Sequence, residues 1–140
     1  CVDALCMAAC PTGATYRTDE GVVLVDPETC IGCQSCVTAC PYGARTLVSE
    51  LEPNHEEGET AYEEAVFPYH KANTVEKCTF CYQRIAKGDD PACMELCPGR
   101  ARTWGDLDDP SSEVAKLVRE REHMQLLPER GTKPSVYYLL

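Results

Sequence analysis

Eleven of the 140 residues are cysteines, and their spacing constrains the fold more than any other feature. One group reads C-x2-C-x2-C-x3-C-P, a second reads C-x2-C-x11-C-x3-C-P, and the chain opens with C-x4-C-x3-C-P. The first pattern is formed by Cys30, Cys33, Cys36 and Cys40, and the second by Cys78, Cys81, Cys93 and Cys97. The pattern that opens the chain is formed by Cys1, Cys6 and Cys10. Because every cysteine belongs to a group that ends in Cys-Pro, the pattern indicates one shared role.

The spacing favours cubane iron–sulfur clusters over the two other uses of such cysteines. C-x2-C-x2-C-x3-C-P is the bacterial [4Fe–4S] spacing, with one thiolate for each iron corner. Zinc takes its four ligands from two C-x2-C pairs, which leaves the middle Cys36 and the recurring Cys-Pro unexplained. Disulfide frameworks do not repeat C-x2-C followed by C-x3-C-P. An odd number of cysteines, eleven, would also leave one thiol unpaired. The sequence therefore predicts an electron-transfer protein.

The cluster count follows from how paired motifs exchange ligands. In two-cluster ferredoxins the last cysteine of each motif ligates the other cluster. If the first two groups along the chain are partners, one cluster is fully ligated by Cys10, Cys30, Cys33 and Cys36. Cys40 would then join Cys1, Cys6 and one cysteine upstream of this sequence. The Cys78 group has no partner group within the chain.

Composition excludes several other classes of protein. A net charge of −10 argues against nucleic-acid binding, which needs a basic surface. Only two residues are Phe, so we expect a thin apolar core in which metal–thiolate bonds replace part of the missing burial. No run is long enough to cross a bilayer. The chain begins at Cys1 without Met, which suggests a fragment. Its sequence carries no catalytic triad, phosphate loop or acid–base pair.

We expect an α+β fold of tandem bacterial-ferredoxin-like [4Fe–4S] modules, with short strands, short helices and long loops. Residues 14–17 and 22–25 flank a turn at Gly21 and predict a β-hairpin. Residues 45–48, 74–77 and 101–104 are compatible with strands. Residues 81–87 predict a short helix ended by Gly88, and a second helix is expected to begin with Asp109 as its cap.

The expected domain organisation has four parts. Residues 1–49 form a ferredoxin-like module, 50–73 an acidic insertion loop, 74–108 the module of the last cysteine group, and 109–140 a C-terminal helix and tail. Residues 50–64 contain seven glutamates and no Lys or Arg. This segment is either a solvated loop or a docking loop for a partner with a basic patch.

Four cations lie close in sequence to the predicted ligands: Arg45, Lys77, Arg100 and Arg102. One or more of them could raise the reduction potential of a cluster, because positive charge favours the added electron. The alternative is that all four are ordinary surface charges.

Several segments together resemble one family. They are CMAACPTGA at residues 6–14, CIGC at 30–33, ACPYGAR at 39–45, EKCTFC at 76–81, GDLDDPSSEV at 105–114 and GTKPSVYY at 131–138. The chain resembles the four-cluster iron–sulfur subunit of molybdopterin oxidoreductases. This family includes the reductases of dimethyl sulfoxide, polysulfide, thiosulfate, tetrathionate and arsenate, and related sulfite-oxidising enzymes.

The resemblance implies four cysteine motifs with sixteen ligands in the full-length subunit, of which this sequence carries eleven. Some relatives have tryptophan at the position of Cys33 and a three-iron cluster there, so Cys33 implies a four-iron cluster. The implied role is a non-catalytic relay, peripheral to a membrane on either face. It would join a molybdenum or tungsten pterin subunit to a quinone-interacting membrane subunit. A relay in a formate dehydrogenase, hydrogenase or other quinone-linked complex, a catalytic iron–sulfur protein and a zinc-dependent interaction module are the alternatives.

Overall fold

The computed structural model describes residues 1–53, 55–66 and 70–140. The chain divides into two compact units. One is Ala4–Thr79, and the other is Phe80–Leu140 together with Cys1–Asp3. Helices and strands are short in both units, which agrees with the expected α+β composition.

The described residues of the Ala4–Thr79 unit form three short helices and two antiparallel strand pairs. Its helices are α1 (Leu5–Ala8), α2 (Ser35–Ala39) and α3 (Ala61–Val66), and its strands are β1 (Thr15–Arg17), β2 (Val23–Val25), β3 (Thr46–Val48) and β4 (Thr74–Glu76). Helix α1 contacts both α2 and β1, which brings Cys6 of α1 and Cys36 of α2 into one packed region.

The predicted hairpin is confirmed. Strands β1 and β2 pair antiparallel, with Thr15 opposite Val25. The turn between them closes with Gly21 in the left-handed region at φ +85°, and its N–H donates to the carbonyl of Thr18 at 2.9 Å. Glycine suits this position because it has no Cβ to clash at positive φ.

The segments at residues 45–48 and 74–77 are also strands, as predicted, and they pair with each other. Strand β3 runs antiparallel to β4, with Leu47 opposite Val75. Apart from Pro91 and Pro134, the buried apolar side chains among the described residues are those of Val75, Ala14 and Cys36. The apolar core is therefore thin, as the composition predicts.

The second unit is built from α4 (Tyr82–Ile85), α5 (Ala92–Glu95), α6 (Glu113–Glu120), a 3₁₀ turn at Pro128–Arg130, and the antiparallel pair β5 (His123–Met124) and β6 (Tyr138–Leu139). Backbone N–H groups of Val2 and Asp3 donate to the carbonyls of Lys133 and Thr132, at 2.9 and 3.0 Å. These two bonds attach the first residues of the chain to this unit.

Helix α6 begins three residues later than predicted. Ser112, rather than Asp109, is its N-cap, and the Ser112 hydroxyl accepts the N–H of Ala115 at 3.2 Å. Asp109 instead accepts the N–H and the hydroxyl of Ser111, at 2.8 and 2.9 Å. The prediction for Asp109 was wrong because two cap-forming residue types lie three positions apart, and only the backbone path decides between them.

Residues 101–104 do not form the predicted strand. The preceding residue, Arg100, has φ +45°, which turns the chain out of extended geometry. The N–H of Ala101 then donates to the sulfur of Cys97 at 3.4 Å rather than to another strand. The β-compatible composition of the segment was overridden by the turn that follows the cysteine.

The segment expected to be an acidic loop contains a helix. Helix α3 begins after Thr60 with reciprocal bonds: Glu63 Oε2 accepts the Thr60 N–H at 2.8 Å, and Thr60 Oγ1 accepts the Glu63 N–H at 3.3 Å. This is a capping box, which the spacing Thr-x-x-Glu could have indicated. Glu56, Glu57 and Glu59 are exposed, whereas Glu63 is 4% exposed. Residues 54 and 67–69 of the predicted insertion lie outside the described residues.

Among the described residues, no helix is both long and apolar enough to cross a membrane.

Candidate iron–sulfur cluster sites

Three predicted ligands follow short helices. Cys10, Cys40 and Cys97 come at the ends of α1, α2 and α5, and each donates its backbone N–H to the carbonyl three residues earlier, at 3.1, 3.3 and 3.2 Å. The proline after each cysteine has no N–H, so the helix cannot continue. The prediction that the last cysteine of a group sits on a short helical turn is confirmed.

The Cys-Pro dipeptides open three similar turns. In each turn the residue three positions after the cysteine donates its N–H to the cysteine carbonyl, at 3.4 Å for Gly13, 3.4 Å for Gly43 and 3.0 Å for Arg100. All three donors are left-handed, with φ of +73°, +61° and +45°. Arg100 is not a glycine, so its left-handed conformation costs about 1–2 kcal/mol.

The loop that carries Cys30 and Cys33 depends on Gly32. Gly32 has φ +65°, and a Cβ at this position would lie 2.3 Å from the carbonyl oxygen of Asn73. This close approach sets the loop beside β4, where the N–H of Val75 donates to Cys30 Sγ at 3.4 Å. A residue 45 positions away thus provides the donor to this sulfur.

Cys33 lies two residues before α2, and Cys36 is the buried residue of that helix. Cys36 is 7% exposed, whereas Cys33 is exposed. Cys33 Sγ and Ser35 Oγ are hydrogen-bonded at 3.5 Å. The side chain and the N–H of Ser35 lower the pKa of the Cys33 thiol, which favours the thiolate that binds iron.

Cys10 also favours the thiolate. Burial raises the pKa of its thiol, but hydrogen bonds from Thr15 and Thr12 outweigh this effect and lower the pKa from 9.0 to about 7. The N–H of Thr15 donates to Cys10 Sγ at 3.5 Å. Hydrogen bonds to a charged form stabilise that form, so the site is prepared for a bound thiolate.

A buried cation contacts the sulfur of Cys6. Arg45 Nη2 donates to Cys6 Sγ at 3.1 Å, and Arg45 Nη1 donates to Thr15 Oγ1 at 3.1 Å. Arg45 is 4% exposed. Burial and the charge of Arg45 lower the pKa of the nearby Lys77, while Cys78 and Cys6 raise it. In the sequence, Arg45 is only one of four cations close to predicted ligands. Its contact with the Cys6 sulfur is visible only in the folded structure.

The last cysteine group is divided between the two units. Cys78 belongs to Ala4–Thr79, and Cys81, Cys93 and Cys97 belong to the other unit. The N–H of Ala101 lowers the pKa of the Cys97 thiol. Arg102 Nη1 donates to the carbonyl of Cys93 at 3.2 Å, a contact with backbone rather than with sulfur.

Trp104, the one tryptophan of the chain, packs in the same unit. Its ring meets Phe80, the residue before Cys81, edge to face with centroids 6.1 Å apart. Its Nε1 donates to Asp90 Oδ1 at 2.9 Å.

The donor chemistry of these residues fits [4Fe–4S] clusters. All eleven cysteines are free thiols. No three His, Cys, Asp or Glu side chains within residues 1–53, 55–66 and 70–140 converge on a single ion. A cubane binds each thiolate at a different iron, so its ligands do not need to converge on one point. Thiols with lowered pKa values and N–H groups directed at sulfur are what such a cluster requires.

Short helices that end at Cys-Pro, together with N–H donors to cysteine sulfur, define a ferredoxin-like iron–sulfur protein. A family model described as a 4Fe-4S dicluster domain matches residues 1–41 and 22–98. The chain belongs to the family of 4Fe–4S dicluster proteins that includes the iron–sulfur subunits of respiratory reductases. The predicted family and the predicted class of cofactor are thereby confirmed.

Similar proteins of known name support this family assignment. The chain is 39% identical over 172 residues to the iron–sulfur subunit of an arsenate respiratory reductase from Shewanella sp. strain ANA-3, covering 99% of this chain and 71% of that protein. It is 43% identical to a selenate reductase subunit from Mesobacillus selenatarsenatis, covering 96% and 50%. It is 42% identical to a sulfite dehydrogenase subunit from Allochromatium vinosum, covering 99% and 52%. The chain thus spans about half the length of two of these relatives and 71% of the third.

Proposed function

We propose that this chain relays electrons between a molybdenum or tungsten pterin catalytic subunit and a membrane subunit that exchanges electrons with quinone. One observation carries the proposal. Cys10, Cys40 and Cys97 each follow a short helix, in a chain related to iron–sulfur subunits of reductases. The relay is non-catalytic and lies peripheral to the membrane.

All eleven cysteines are proposed as cluster ligands. One [4Fe–4S] cluster is assigned to Cys10, Cys30, Cys33 and Cys36. These four belong to the Ala4–Thr79 unit, which supports the assignment. Cys6 and Cys40, in the same unit, are assigned to a second cluster. The assignment follows the ligand exchange between paired motifs in two-cluster ferredoxins.

The modular organisation is part of the proposal. We assign residues 1–49 and 74–108 to tandem ferredoxin-like modules, 50–73 to an insertion and 109–140 to a C-terminal extension. The matching turns at Cys10 and Cys40, each closed by a left-handed glycine, support a duplicated unit.

The clusters supply reversible one-electron chemistry, and the protein sets how readily each accepts an electron. Backbone N–H groups of Thr15 and Val75 donate to the sulfurs of Cys10 and Cys30. Such bonds withdraw charge from the thiolates, so they favour the reduced and more negative cluster. Packing of Gly32 against Asn73 holds the Cys30 loop beside the Val75 donor.

The partners follow from the names of the relatives and from charge. Several relatives are named as subunits of a reductase or a dehydrogenase, which supports a catalytic partner for this chain. The net charge of −10 disfavours nucleic acid as a partner and is compatible with basic patches on a neighbouring protein.

Elemental analysis of the native complex, purified without oxygen, tests the function. We expect iron and acid-labile sulfide together with molybdenum or tungsten, and little zinc. Iron without either heavy metal would assign the relay to a different kind of partner. Zinc in place of iron would overturn the proposal.

A matched pair of variants tests the ligand assignment. Cys36→Ser removes one proposed ligand from α2, and Thr38→Ala changes an exposed residue of the same helix. We expect the first to lower iron by about four atoms per subunit or to alter one cluster spectrum, because a cubane needs a thiolate at each corner. The second should leave iron unchanged. Equal iron and spectra in both variants would remove Cys36 from the ligand set.

A further inference from the structure

The guanidinium of Arg45 occupies a position that an arginine seldom takes without a compensating partner. Arg45 is only 4% exposed. Burying a charge is costly unless the charge is paired and hydrogen-bonded. Thr15 Oγ1 accepts from Nη1 at 3.1 Å, but a neutral hydroxyl cannot balance the charge. The second acceptor is Cys6 Sγ, at 3.1 Å from Nη2. As a cluster ligand, the sulfur of Cys6 would supply the negative charge that the buried cation needs.

We propose that Arg45 is a positioning residue that orients Cys6 and raises the reduction potential of the cluster bound through that sulfur. The inference rests on the proposed function, in which Cys6 is a cluster ligand. A reduced cluster carries one more negative charge than an oxidised one. A buried cation in contact with a ligand sulfur therefore stabilises the reduced state more than the oxidised state.

The contacts of Lys77 and Arg102 distinguish these two cations from Arg45. Lys77 Nζ donates to the carbonyl of Cys78 at 2.7 Å, and Arg102 Nη1 donates to the carbonyl of Cys93 at 3.2 Å. These carbonyls are not cluster ligands. Arg45 donates to a sulfur, so its charge acts directly on an atom that shares the electron density of the cluster.

The two clusters assigned to the Ala4–Thr79 unit consequently differ. The sulfurs of Cys10 and Cys30 receive neutral backbone N–H groups, and Cys33 pairs with the Ser35 hydroxyl. Cys6 receives a charged donor, and charge-assisted hydrogen bonds are roughly twice as strong as neutral ones. The cluster bound by Cys6 is therefore the higher in potential of the two.

Thr15 connects the two sites. Its side chain accepts from Arg45, and its backbone N–H donates to Cys10 Sγ at 3.5 Å. Thr15 lies in β1 and is 5% exposed, so the guanidinium is held against a rigid, buried partner. Replacing its hydroxyl should release the guanidinium without removing the N–H bond to Cys10.

The test is Arg45→Gln in the complete iron–sulfur subunit, within its native complex purified without oxygen. Iron per subunit is measured first, and an EPR-monitored redox titration then gives the midpoint potential of each cluster. We expect unchanged iron and at least a tenfold loss in the reduction equilibrium of one cluster. This loss corresponds to a fall of about 59 mV for a one-electron couple. Resonance Raman should show a changed Fe–S(Cys) stretching frequency, because one sulfur loses its donor.

Three further variants complete the test. Arg119→Gln, an exposed arginine on α6, is the matched control and should change no potential. Arg45→Lys keeps the charge but loses the planar fork, so we expect less than half of the shift. Thr15→Val should lower the same midpoint. If Arg45→Gln does not retain iron, Arg45→Lys and Thr15→Val carry the test, and unshifted midpoints in both would overturn the inference.

The outcomes separate this inference from the proposed function. Iron-replete Arg45→Gln with unshifted midpoints, or with equal shifts in all clusters, would overturn the role of Arg45 and leave the relay intact. A wild-type subunit without iron would overturn the relay itself. A single shifted cluster that is also the one altered by Cys6→Ser would support both.

Discussion

Gly32 lies directly against the backbone of Asn73, so closely that a Cβ on Gly32 would stand 2.3 Å from the Asn73 carbonyl oxygen. The contact joins the loop between Cys30 and Cys33 to the residue before β4. Asn73 is itself left-handed, at φ +59°, and its N–H donates to the carbonyl of Val48 at 2.6 Å. The Asn73 backbone cannot retreat without breaking its bond to Val48 at the end of the β3–β4 pair.

Gly32→Ala should therefore damage this cluster site. The substitution adds a methyl group where backbone must move, and it places a side chain at positive φ, which together cost more than about 1 kcal/mol. We expect loss of iron from the subunit and a lower thermal midpoint of the complex. Gly21→Ala is the control: its φ is +85°, but nothing lies within 4 Å of the added Cβ. It should destabilise less and keep its iron, and equal effects of the two would refute the role of the close approach.

Arg100→Gly should stabilise the turn after Cys97. Arg100 takes the position of Gly13 and Gly43 in the corresponding turns, with φ +45°. Relief of the left-handed conformation gains about 1–2 kcal/mol, and the extra freedom of glycine in the unfolded chain removes about 0.5–1 kcal/mol. Slower hydrogen exchange at the Arg100 amide position and at Ala101 would report the net gain. Unchanged or faster exchange would mean that the Arg100 side chain contributes more than its backbone strain costs.

Thr60→Ala should unravel the first turn of α3. It removes the hydroxyl that accepts the Glu63 N–H and that donates to Glu63 Oε2 at 2.9 Å. Loss of an N-cap costs about 1 kcal/mol, and the buried Glu63 also loses a donor. Proteolysis of the native complex within residues 55–66 should accelerate. Glu63→Gln is the conservative control, because glutamine also completes a capping box. If Thr60→Ala is no more sensitive than Glu63→Gln, the box does not stabilise this helix.

Ser112→Ala tests where α6 begins. The Ser112 hydroxyl accepts the Ala115 N–H at 3.2 Å and also contacts the carbonyl of Asp106. We expect a cost of about 1 kcal/mol, which is about a fivefold faster amide exchange in the first turn. Asp109→Ala should affect these amides less, because Asp109 bonds to Ser111 outside the helix. The reverse order of effects would restore Asp109 as the cap.

Local signals predicted much of the fold. The hairpin around Gly21 could be predicted because its turn chemistry and its flanking β-compatible residues are adjacent in sequence. The strands at residues 46–48 and 74–76 could each be predicted from composition. Composition does not show that these two strands pair with each other. The start of α6 and the segment at 101–104 were mispredicted because single backbone turns, at Ser112 and Arg100, overrode residue preference.

The sequence by itself determined the chemistry of this protein. Ligand type, ligand spacing and the Cys-Pro stops are all encoded within a few residues of each cysteine, so no tertiary contact is needed to recognise them. Only the tertiary structure decided which groups surround each sulfur. Val75 reaches Cys30 across 45 positions, and Arg45 reaches Cys6 across 39. Burial and hydrogen-bond partners arise from packing between distant segments, so they distinguish one cluster from another only once the chain has folded.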